Sequence, residues 1–311
     1  MKMYSRFKNR AAICSTLLLL FICLPVSSSA EITITLKNSF IEQFKNRATI
    51  DTTFTIDKAH KKPNPPSKDG DMHVAGRASE VGLSVVAEIM NARLEKKAVD
   101  LVHNFEGTGN PVKLSGAWRL WCEHAGGSDQ IQDEPLQPFD TSNPDHVFEI
   151  HPVTQLGDIN VERSFKPIQG FKTKDAGDAF LKYENTRFKI IPGEDTISMV
   201  TGMVGYNYVE FIMEANDDKQ AETEDGRFVM ATVRDLQGEL LVRKVRMVFV
   251  KDTPPEKAVR KLKKGETLHV LGIPRIDLAL VSWRVSAAKN RPEVLDWSLP
   301  YEIIVVGVYK H

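Results

Sequence analysis

Acidic and histidine side chains recur at alternating positions in three short segments of the first half of the chain. The segments are 68–73 (KDGDMH), 87–89 (AEI) and 147–153 (VFEIHPV). Side chains alternate between the two faces of a β-strand, so groups two residues apart share a face. If the segments are neighbouring strands, five polar side chains can converge: Asp71, His73, Glu88, Glu149 and His151.

Two kinds of chemistry suit a set of carboxylates and imidazoles. Together they can bind a divalent metal, or one group can pass a proton to another. The candidate metal ligands are His73, Glu149 and His151. A third interpretation is structural, in which the histidines hydrogen-bond to the carboxylates and tie the strands together as a buried network. The spacing leaves these interpretations open and designates no catalytic residue.

The hydrophobic pattern of the first half predicts the elements that would position these groups. Alternating stretches indicate strands, and apolar residues at helical spacing indicate one helix. After a short lead-in at 31–45, the predicted elements are strands at 48–57, 71–78 and 83–90, a helix at 92–102, and strands at 112–121 and 147–156. This is the order of a five-stranded OB barrel, which would place the three polar segments on adjacent strands.

The second half again shows three strands, a helix and then two main strands. Its predicted elements are strands at 197–214, 228–234 and 240–250, a helix at 254–263, and strands at 267–276, 279–285 and 301–310. We therefore predict a mainly β protein with two tandem OB-like five-stranded barrels, each with one helix between strands three and four. The first domain would span 31–157 and the second 192–311, joined by a linker region at 158–191.

Two short motifs recur in the two halves. The stretch VKLSGAWRL (112–120) resembles LHVLGIPRI (268–276), because both contain a glycine followed by an arginine three residues later. The stretch EIHPV (149–153) resembles EIIVV (302–306) in the closing strand of each predicted barrel. The two matches favour a tandem duplication.

The first 30 residues have the pattern of a secretory signal peptide. A basic start precedes an apolar run at 11–26, and small residues stand at the −3 and −1 positions before Glu31. The run is shorter than the ~20 apolar residues that span a bilayer. Cleavage after Ala30 would remove Cys14 and Cys23 and leave Cys122 without a partner for an internal disulfide. We expect a periplasmic or secreted protein without a transmembrane segment after signal removal.

Composition and charge exclude several classes of protein. The 311 residues include 41 basic and 41 acidic ones, and this balance argues against a protein whose whole surface binds nucleic acid. Hydrophobic residues make up 42% and charged residues 26%, which excludes wholesale disorder and a multi-span membrane protein. Charge is uneven along the chain, with 13 basic and 19 acidic residues in 31–160 against 24 and 22 in 161–311.

Two other groups of residues are candidates for ligand binding. Aromatic and arginine side chains on OB strands can stack on bases or sugars, and the candidates are Trp118, Arg119 and Trp121. The basic run at 243–264 is a candidate anion-binding surface, represented by Lys257, Arg260, Lys261 and Lys264. Both groups also fit a structural role, as packing within a strand and as the solvated face of an amphipathic helix.

The polar segments also carry a resemblance. In order, DGDMH, VVAEI, VKLSGAW and FEIHPV resemble a DGDxH…AEI…EIHPV module of uncharacterised secreted bacterial proteins. The resemblance covers residues 48–157 only. It implies a small OB-like barrel and a secreted setting, and it implies no reaction. This chain departs from the shorter members in its insertion at 129–145 and in its entire second half.

These observations favour a secreted or periplasmic binding or adaptor protein that acts through the surfaces of OB-like barrels. A protein, an oligosaccharide or a nucleic acid are all candidate partners. The alternative is a metal-assisted, nuclease-like hydrolase that uses the Asp/His/Glu cluster of the first barrel with a divalent metal as cofactor.

Overall fold

The computed structural model describes residues 31–288, 291 and 294–310. The predicted signal segment, with Cys14 and Cys23, lies outside the described residues. None of the helices in the described part is long and apolar enough to cross a membrane.

The described residues form seventeen strands and five α-helices. The strands are β1 (Ile32–Lys37), β2 (Thr49–Ala59), β3 (Met72–Ala78), β4 (Ser84–Ile89), β5 (Pro111–Leu120), β6 (Gln130–Ile131), β7 (Phe148–Leu156), β8 (Ile159–Asn160), β9 (Arg187–Pro192), β10 (Thr196–Thr201), β11 (Val209–Ala215), β12 (Ala221–Glu222), β13 (Gly226–Arg234), β14 (Leu240–Val250), β15 (Thr267–Ile276), β16 (Leu295–Ser298) and β17 (Tyr301–Val308). The helices are α1 (Asn38–Phe44), α2 (Lys96–Phe105), α3 (Ala176–Asn185), α4 (Pro254–Val259) and α5 (Leu278–Ala287).

The first barrel is built from β2, β3, β4, β5 and β7. These strands pair in the order β4-β3-β2-β5-β7, and a parallel pairing of β4 with β7 closes the barrel. Helix α2 follows β4 and precedes β5. Closure by a parallel pair of the third and fifth strands, with the helix at this position, is the OB arrangement.

The second barrel has the same order in β11, β13, β14, β15 and β17. Strand β11 pairs with both β13 and β15, and a parallel pairing of β14 with β17 closes this barrel as well. Helix α4 lies between β14 and β15. The prediction of two tandem OB-like barrels, each with one helix between strands three and four, is confirmed.

A third sheet lies outside both barrels, in the order β16-β9-β10-β1-β6. Its strands come from the lead-in, from the insertion between β5 and β7, from the region between the barrels and from the segment between β15 and β17. The lead-in at 31–45 thus forms a strand and a helix, and the region 158–191 contains helix α3 and most of β9. Strand β1 buries alternate residues, which fits a sheet with one face on the core.

Two predicted elements of the second half are wrong. The expected long strand at 197–214 is divided into β10, which belongs to the third sheet, and β11, which opens the second barrel. The expected strand at 279–285 is helix α5. The Asp277 side chain accepts a hydrogen bond from the backbone N–H of Leu280, which caps the helix at its first turn. A short apolar run does not distinguish a buried strand from a buried helix by its period.

The two barrels match residue by residue along their ladders. Arg119 of β5 lies opposite Glu149 of β7, and Arg275 of β15 lies opposite Glu302 of β17. Each arginine follows a glycine by three residues, and each glycine lies at an irregularity of its ladder. The repeated sequence motifs therefore occupy equivalent positions, which supports a tandem duplication.

Candidate functional site

The five polar side chains predicted to converge lie together at one end of the first barrel. Asp71 immediately precedes β3, where His73 lies opposite Glu88 of β4. Strand β7 runs beside β4 and carries Glu149 and His151. Four of the five are buried, and His73 keeps 14% of its side chain exposed. We call these five residues the polar cluster.

His151 lies at the centre of the polar cluster, and both nitrogens of its ring have polar neighbours. Nδ1 is 3.3 Å from Glu149 Oε2 and 3.4 Å from Glu88 Oε2. Nε2 is 3.4 Å from Asp71 Oδ2 and 2.8 Å from the hydroxyl oxygen of Tyr208. The imidazole therefore joins strands β4 and β7 to the segment before β3 and to a residue outside the first barrel.

Tyr208 is the functional candidate that the sequence did not reveal. It ends the segment 202–208, which connects the third sheet to β11, and it has a left-handed φ of +49°. Its buried hydroxyl donates to Asp71 and contacts His151. The sequence predicts that Tyr208 lies inside one long strand at 197–214. A strand pattern does not indicate that one of its aromatic side chains contacts residues of the other barrel.

Glu149 is already paired. The guanidinium of the fully buried Arg119 donates to its carboxylate and lies 3.4 Å from Glu123. Burial alone would raise the pKa of Glu149, but Arg119, together with His146 and His151, holds this pKa well below its usual range. Glu149 therefore serves as the counter-ion of Arg119, which makes it the weakest of the three candidate metal ligands.

The charges of the remaining groups depend on their burial and on one another. Burial raises the pKa of the Glu88 carboxyl to about 8 despite the neighbouring His151. Burial alone would lower the pKa of His151, but Glu88, Asp71 and Glu149 raise it to about 10. An imidazolium thus supplies the positive charge that the carboxylates need. A bound cation could supply the same charge in its place.

Three members of the polar cluster have the geometry of a metal site. Asp71, Glu88 and His151 each offer one ligand atom, and these atoms all lie within 4.8 Å of one another. Asp71 Oδ1 is buried and has no hydrogen-bond partner among the described residues. A buried carboxylate oxygen without a partner is costly, and a cation bound there would remove that cost. His73 lies at the edge of this group, with Nε2 3.6 Å from Glu88 Oε2.

An open pocket of about 380 Å³ leads to the polar cluster. His73, Glu88 and Tyr208 contribute to its wall beside the cluster. Exposed lysines line the same pocket: Lys68, Lys172 and Lys174. A ligand in this pocket would meet carboxylate, imidazole and ammonium groups in the same wall.

The second barrel shows what the same fold does without the polar cluster. Glu149 and Glu302 are equivalent, and counting along the ladders from this pair identifies the other matches. The positions of Asp71, His73, Glu88 and His151 correspond to Gly226, Phe228, Val248 and Ile304. An OB barrel of this protein therefore closes with no ionisable side chain at these four positions.

The candidate stacking residues do not form a surface. Trp118, Arg119 and Trp121 are 0 to 2% exposed, so a base or sugar cannot stack on them. The indole N–H of Trp118 donates to the backbone carbonyl of Arg47 at 2.7 Å. Alternation along β5 predicts that only one face of this strand is buried. In the structure, the contact between β5 and the second barrel buries the other face as well. Cys122 is also buried, and burial raises its thiol pKa to about 12, which leaves it unreactive at neutral pH.

The candidate anion-binding residues remain exposed, but they do not share one helix face. Helix α4 ends at Val259, earlier than predicted, so Arg260, Lys261 and Lys264 lie beyond it. Arg260 is paired with Glu256 at 2.7 Å and with Asp252 at 3.3 Å. Lys261 lines a shallow cleft with Lys219 and Lys263, whereas Lys257 does not line that cleft.

Comparisons with known proteins add little to these observations. No protein-family model and no curated protein matches the chain. It is similar to the single-stranded DNA binding protein from Thermus aquaticus, with 10% identity, coverage of 85% of this chain and 91% of that one, and a TM-score of 0.22. It is also similar to a murine DNA binding protein bound with double-stranded DNA, with 12% identity, coverage of 83% and 98%, and a TM-score of 0.19. Values this low carry no argument about ligands, and the OB assignment rests on the strand order.

Proposed function

We propose that this protein is a secreted or periplasmic binding protein whose first OB-like barrel holds its ligand site. The site is the pocket beside the polar cluster, and Asp71, Glu88 and His151 bind a divalent metal there. One observation carries this proposal: the equivalent positions of the second barrel are apolar or glycine, and that barrel closes in the same way. The polar cluster is therefore not a requirement of the fold, although burying it is costly.

The donor set suits a cation. Carboxylate oxygens and imidazole nitrogens are ligands of Mn²⁺, Fe²⁺ and Zn²⁺. Glu149, 3.3 Å from Nδ1 of His151, would hold the imidazole ring so that Nε2 faces the metal, as a carboxylate behind a histidine ligand commonly does. The pocket beside this site leaves room for a ligand to reach the metal.

Metal loading of the protein beginning at Glu31 tests the proposal. After treatment with a chelator, the protein is dialysed against Zn²⁺ or Mn²⁺, and bound metal is measured by elemental analysis. We expect one metal per chain, lost in His151→Ile and Glu88→Val, which introduce the side chains of the second barrel. The matched control Glu302→Gln changes a buried carboxylate of the other barrel and should leave metal binding unchanged. A wild-type protein that stays metal-free, or equal loading of all variants, would refute the metal site.

A metal-assisted hydrolase is the second candidate, because Glu88, one of the three proposed metal ligands, lines an open pocket. A metal there would lower the pKa of a bound water and supply the nucleophile. Bis(p-nitrophenyl) phosphate is a suitable probe for the loaded protein. Metal-dependent turnover that is lost in His151→Ile would establish an enzyme, whereas stoichiometric metal without turnover would favour binding alone.

The secreted setting rests on the first 30 residues and has its own test. We expect the protein, expressed from its full sequence in a Gram-negative host, to appear in the periplasm or medium with Glu31 as its first residue. N-terminal sequencing measures this directly. A full-length protein retained in the cytoplasm would contradict the proposed location without affecting the metal site.

A further inference from the structure

Three lysines line the pocket beside the polar cluster, and none of them forms an ion pair with a described residue. They are Lys68, Lys172 and Lys174, and all three are exposed. Arg119 and Arg275, in contrast, are buried and each is paired with a carboxylate. The three ammonium groups of the pocket are therefore free to contact a ligand.

Two of these lysines belong to a short segment that is fixed against Tyr208. The backbone N–H of Lys174 donates to the carbonyl of Tyr208 at 3.3 Å, and the ring of Phe171 packs edge-on against the Tyr208 ring, with centroids 5.6 Å apart. Lys172 and Lys174 both line the pocket, whereas Thr173 between them does not. The segment thus presents its two lysines to the same pocket.

The third lysine lies in a turn that hydrogen bonds close. The backbone N–H of Lys68 donates to the carbonyl of Pro65 at 2.9 Å. The next residue, Asp69, accepts hydrogen bonds on Oδ1 from the Asn64 side chain at 2.9 Å and from the backbone N–H of Asp71 at 3.0 Å. This turn leads directly into the polar cluster, so the same backbone positions Lys68 and the candidate ligand Asp71.

The lysines outnumber the acidic residues of the pocket wall once a metal is bound. Glu88 is one of the proposed metal ligands, and together with Asp71 it balances the charge of a divalent metal. The acidic residues that remain in the wall are Asp69 and Glu123, and Glu123 lies 3.4 Å from the guanidinium of Arg119. The wall is then net positive, and charge complementarity favours an anionic ligand.

We propose that the ligand of this pocket is a phosphate monoester of a small molecule. The proposal rests on the proposed function, which locates the ligand site in this pocket. Phosphate oxygens commonly complete the coordination of a divalent metal held by carboxylates, and lysine binds phosphate as a point charge. A phosphate monoester carries about 1.5 to 2 negative charges at pH 7.

The size of the pocket favours an organic phosphate over free phosphate. Its volume of about 380 Å³ exceeds that of a phosphate group and lies in the range of small-molecule sites. Phe171 also lines the pocket and gives the organic part of the ligand an aromatic surface to pack against.

Isothermal titration calorimetry with phenylphosphonate tests the proposal, because this probe resembles a phosphate monoester but contains no ester bond to hydrolyse. The protein beginning at Glu31 is loaded with Mn²⁺ and titrated at mildly alkaline pH, where the probe is a dianion. We expect one equivalent to bind to the wild type, and benzenesulfonate, a monoanion of similar shape, to bind more weakly. Lys172→Gln combined with Lys174→Gln should weaken phenylphosphonate binding at least about 10-fold and leave the metal content unchanged.

Two controls accompany this titration. Lys97→Gln combined with Lys113→Gln removes the same charge from exposed positions that do not line the pocket, and it should bind phenylphosphonate as the wild type does. Methylphosphonate distinguishes an organic phosphate from free phosphate, since it lacks the aromatic ring. It should bind more weakly than phenylphosphonate, and equal affinity would overturn the assignment to an organic monoester.

The outcomes separate this inference from the proposed function. A metal-loaded wild type that does not bind phenylphosphonate, or equal weakening in the pocket variant and the control variant, would overturn the ligand class and leave the metal site standing. Binding to a wild type that takes up no metal, with the same dependence on Lys172 and Lys174, would support the anion pocket and refute the metal site. Neither metal nor phenylphosphonate bound would overturn both. Circular dichroism checks that both double variants are folded, as expected for substitutions at exposed positions.

Discussion

Arg119 and Arg275 lie at equivalent positions of the two barrels, and each donates a hydrogen bond to the backbone carbonyl that precedes the other. Arg119 Nε donates to Pro274 at 2.9 Å, and Arg275 Nη1 donates to Trp118 at 2.9 Å. Both side chains are fully buried. The contact between β5 and β15 is therefore reciprocal, as expected when two related domains pack about an approximate two-fold axis.

The first prediction concerns the loss of this reciprocal contact. Arg275 also forms an ion pair with Glu302 at 2.7 Å inside the second barrel. Arg275→Met would therefore leave the buried carboxylate of Glu302 with less compensating positive charge. We expect a loss of about 3 to 5 kcal/mol in the free energy of unfolding, measured with urea. The control Arg234→Met removes a half-exposed ion pair with Glu214 and should cost about 1 kcal/mol or less.

A double-mutant cycle with Arg119→Met tests whether the two arginines act together. Residues in one hydrogen-bonded network usually couple by about 0.5 to 3 kcal/mol, whereas separate sites add within about 0.5 kcal/mol. We expect coupling, because each guanidinium orders the strand that carries the other. Additive losses would show that the two contacts are energetically independent despite their symmetry.

The second prediction concerns the glycines of the repeated motif. A Cβ at Gly116 would lie 2.6 Å from the backbone oxygen of Pro152, and one at Gly272 would overlap the side chain of Ile303. Both strands pass too close to the closing strand of their barrel for a methyl group. We expect Gly116→Ala and Gly272→Ala to lose about 1 to 3 kcal/mol each in urea unfolding. At Gly127 a Cβ would meet nothing within 4 Å, so Gly127→Ala should be nearly neutral. A similar loss in all three variants would refute the packing explanation.

The barrels could be predicted because their signals are local. Each has three alternating strands, one helix and two strands, and proline at the start of α4 marks the helix. The convergence of His73, Glu88 and His151 followed from the same order, since OB closure places the third strand beside the second and the fifth. Strand order and the two-residue period were sufficient for this part of the site.

The third sheet and Tyr208 could not be predicted for a common reason. Strands β1, β6, β9, β10 and β16 have two to six residues each, and apart from the β9–β10 hairpin their pairings join strands far apart in sequence. Tyr208 likewise acquires its role only when the segment 202–208 crosses to the first barrel. Trp121 is buried for a similar reason, because Tyr183 of α3, distant in sequence, packs edge-on against its ring at 5.5 Å.

The last prediction uses the charge of Glu256 on α4. Its Oε1 accepts a hydrogen bond from Arg260 at 2.7 Å and another from Arg227 at 3.4 Å. Burial alone would raise the pKa of Glu256, but these two arginines lower it below its usual range. The unfolded chain therefore binds the proton more tightly than the folded protein does. The stabilisation is complete above the pKa of the unfolded state, about 4.3, and is lost as the pH falls through the lower pKa of the folded state.

We accordingly expect Glu256→Gln to lower the free energy of unfolding by about 1 to 3 kcal/mol at pH 7. The difference from the wild type should be unchanged at pH 6 and should shrink as the pH falls below about 4. Urea unfolding at a series of pH values measures both effects. Glu239→Gln, at an exposed position, controls for the substitution and should change stability at pH 7 by less than about 0.5 kcal/mol. A difference for Glu256→Gln that stays constant down to pH 3 would show that the lost contacts stabilise through packing rather than through charge.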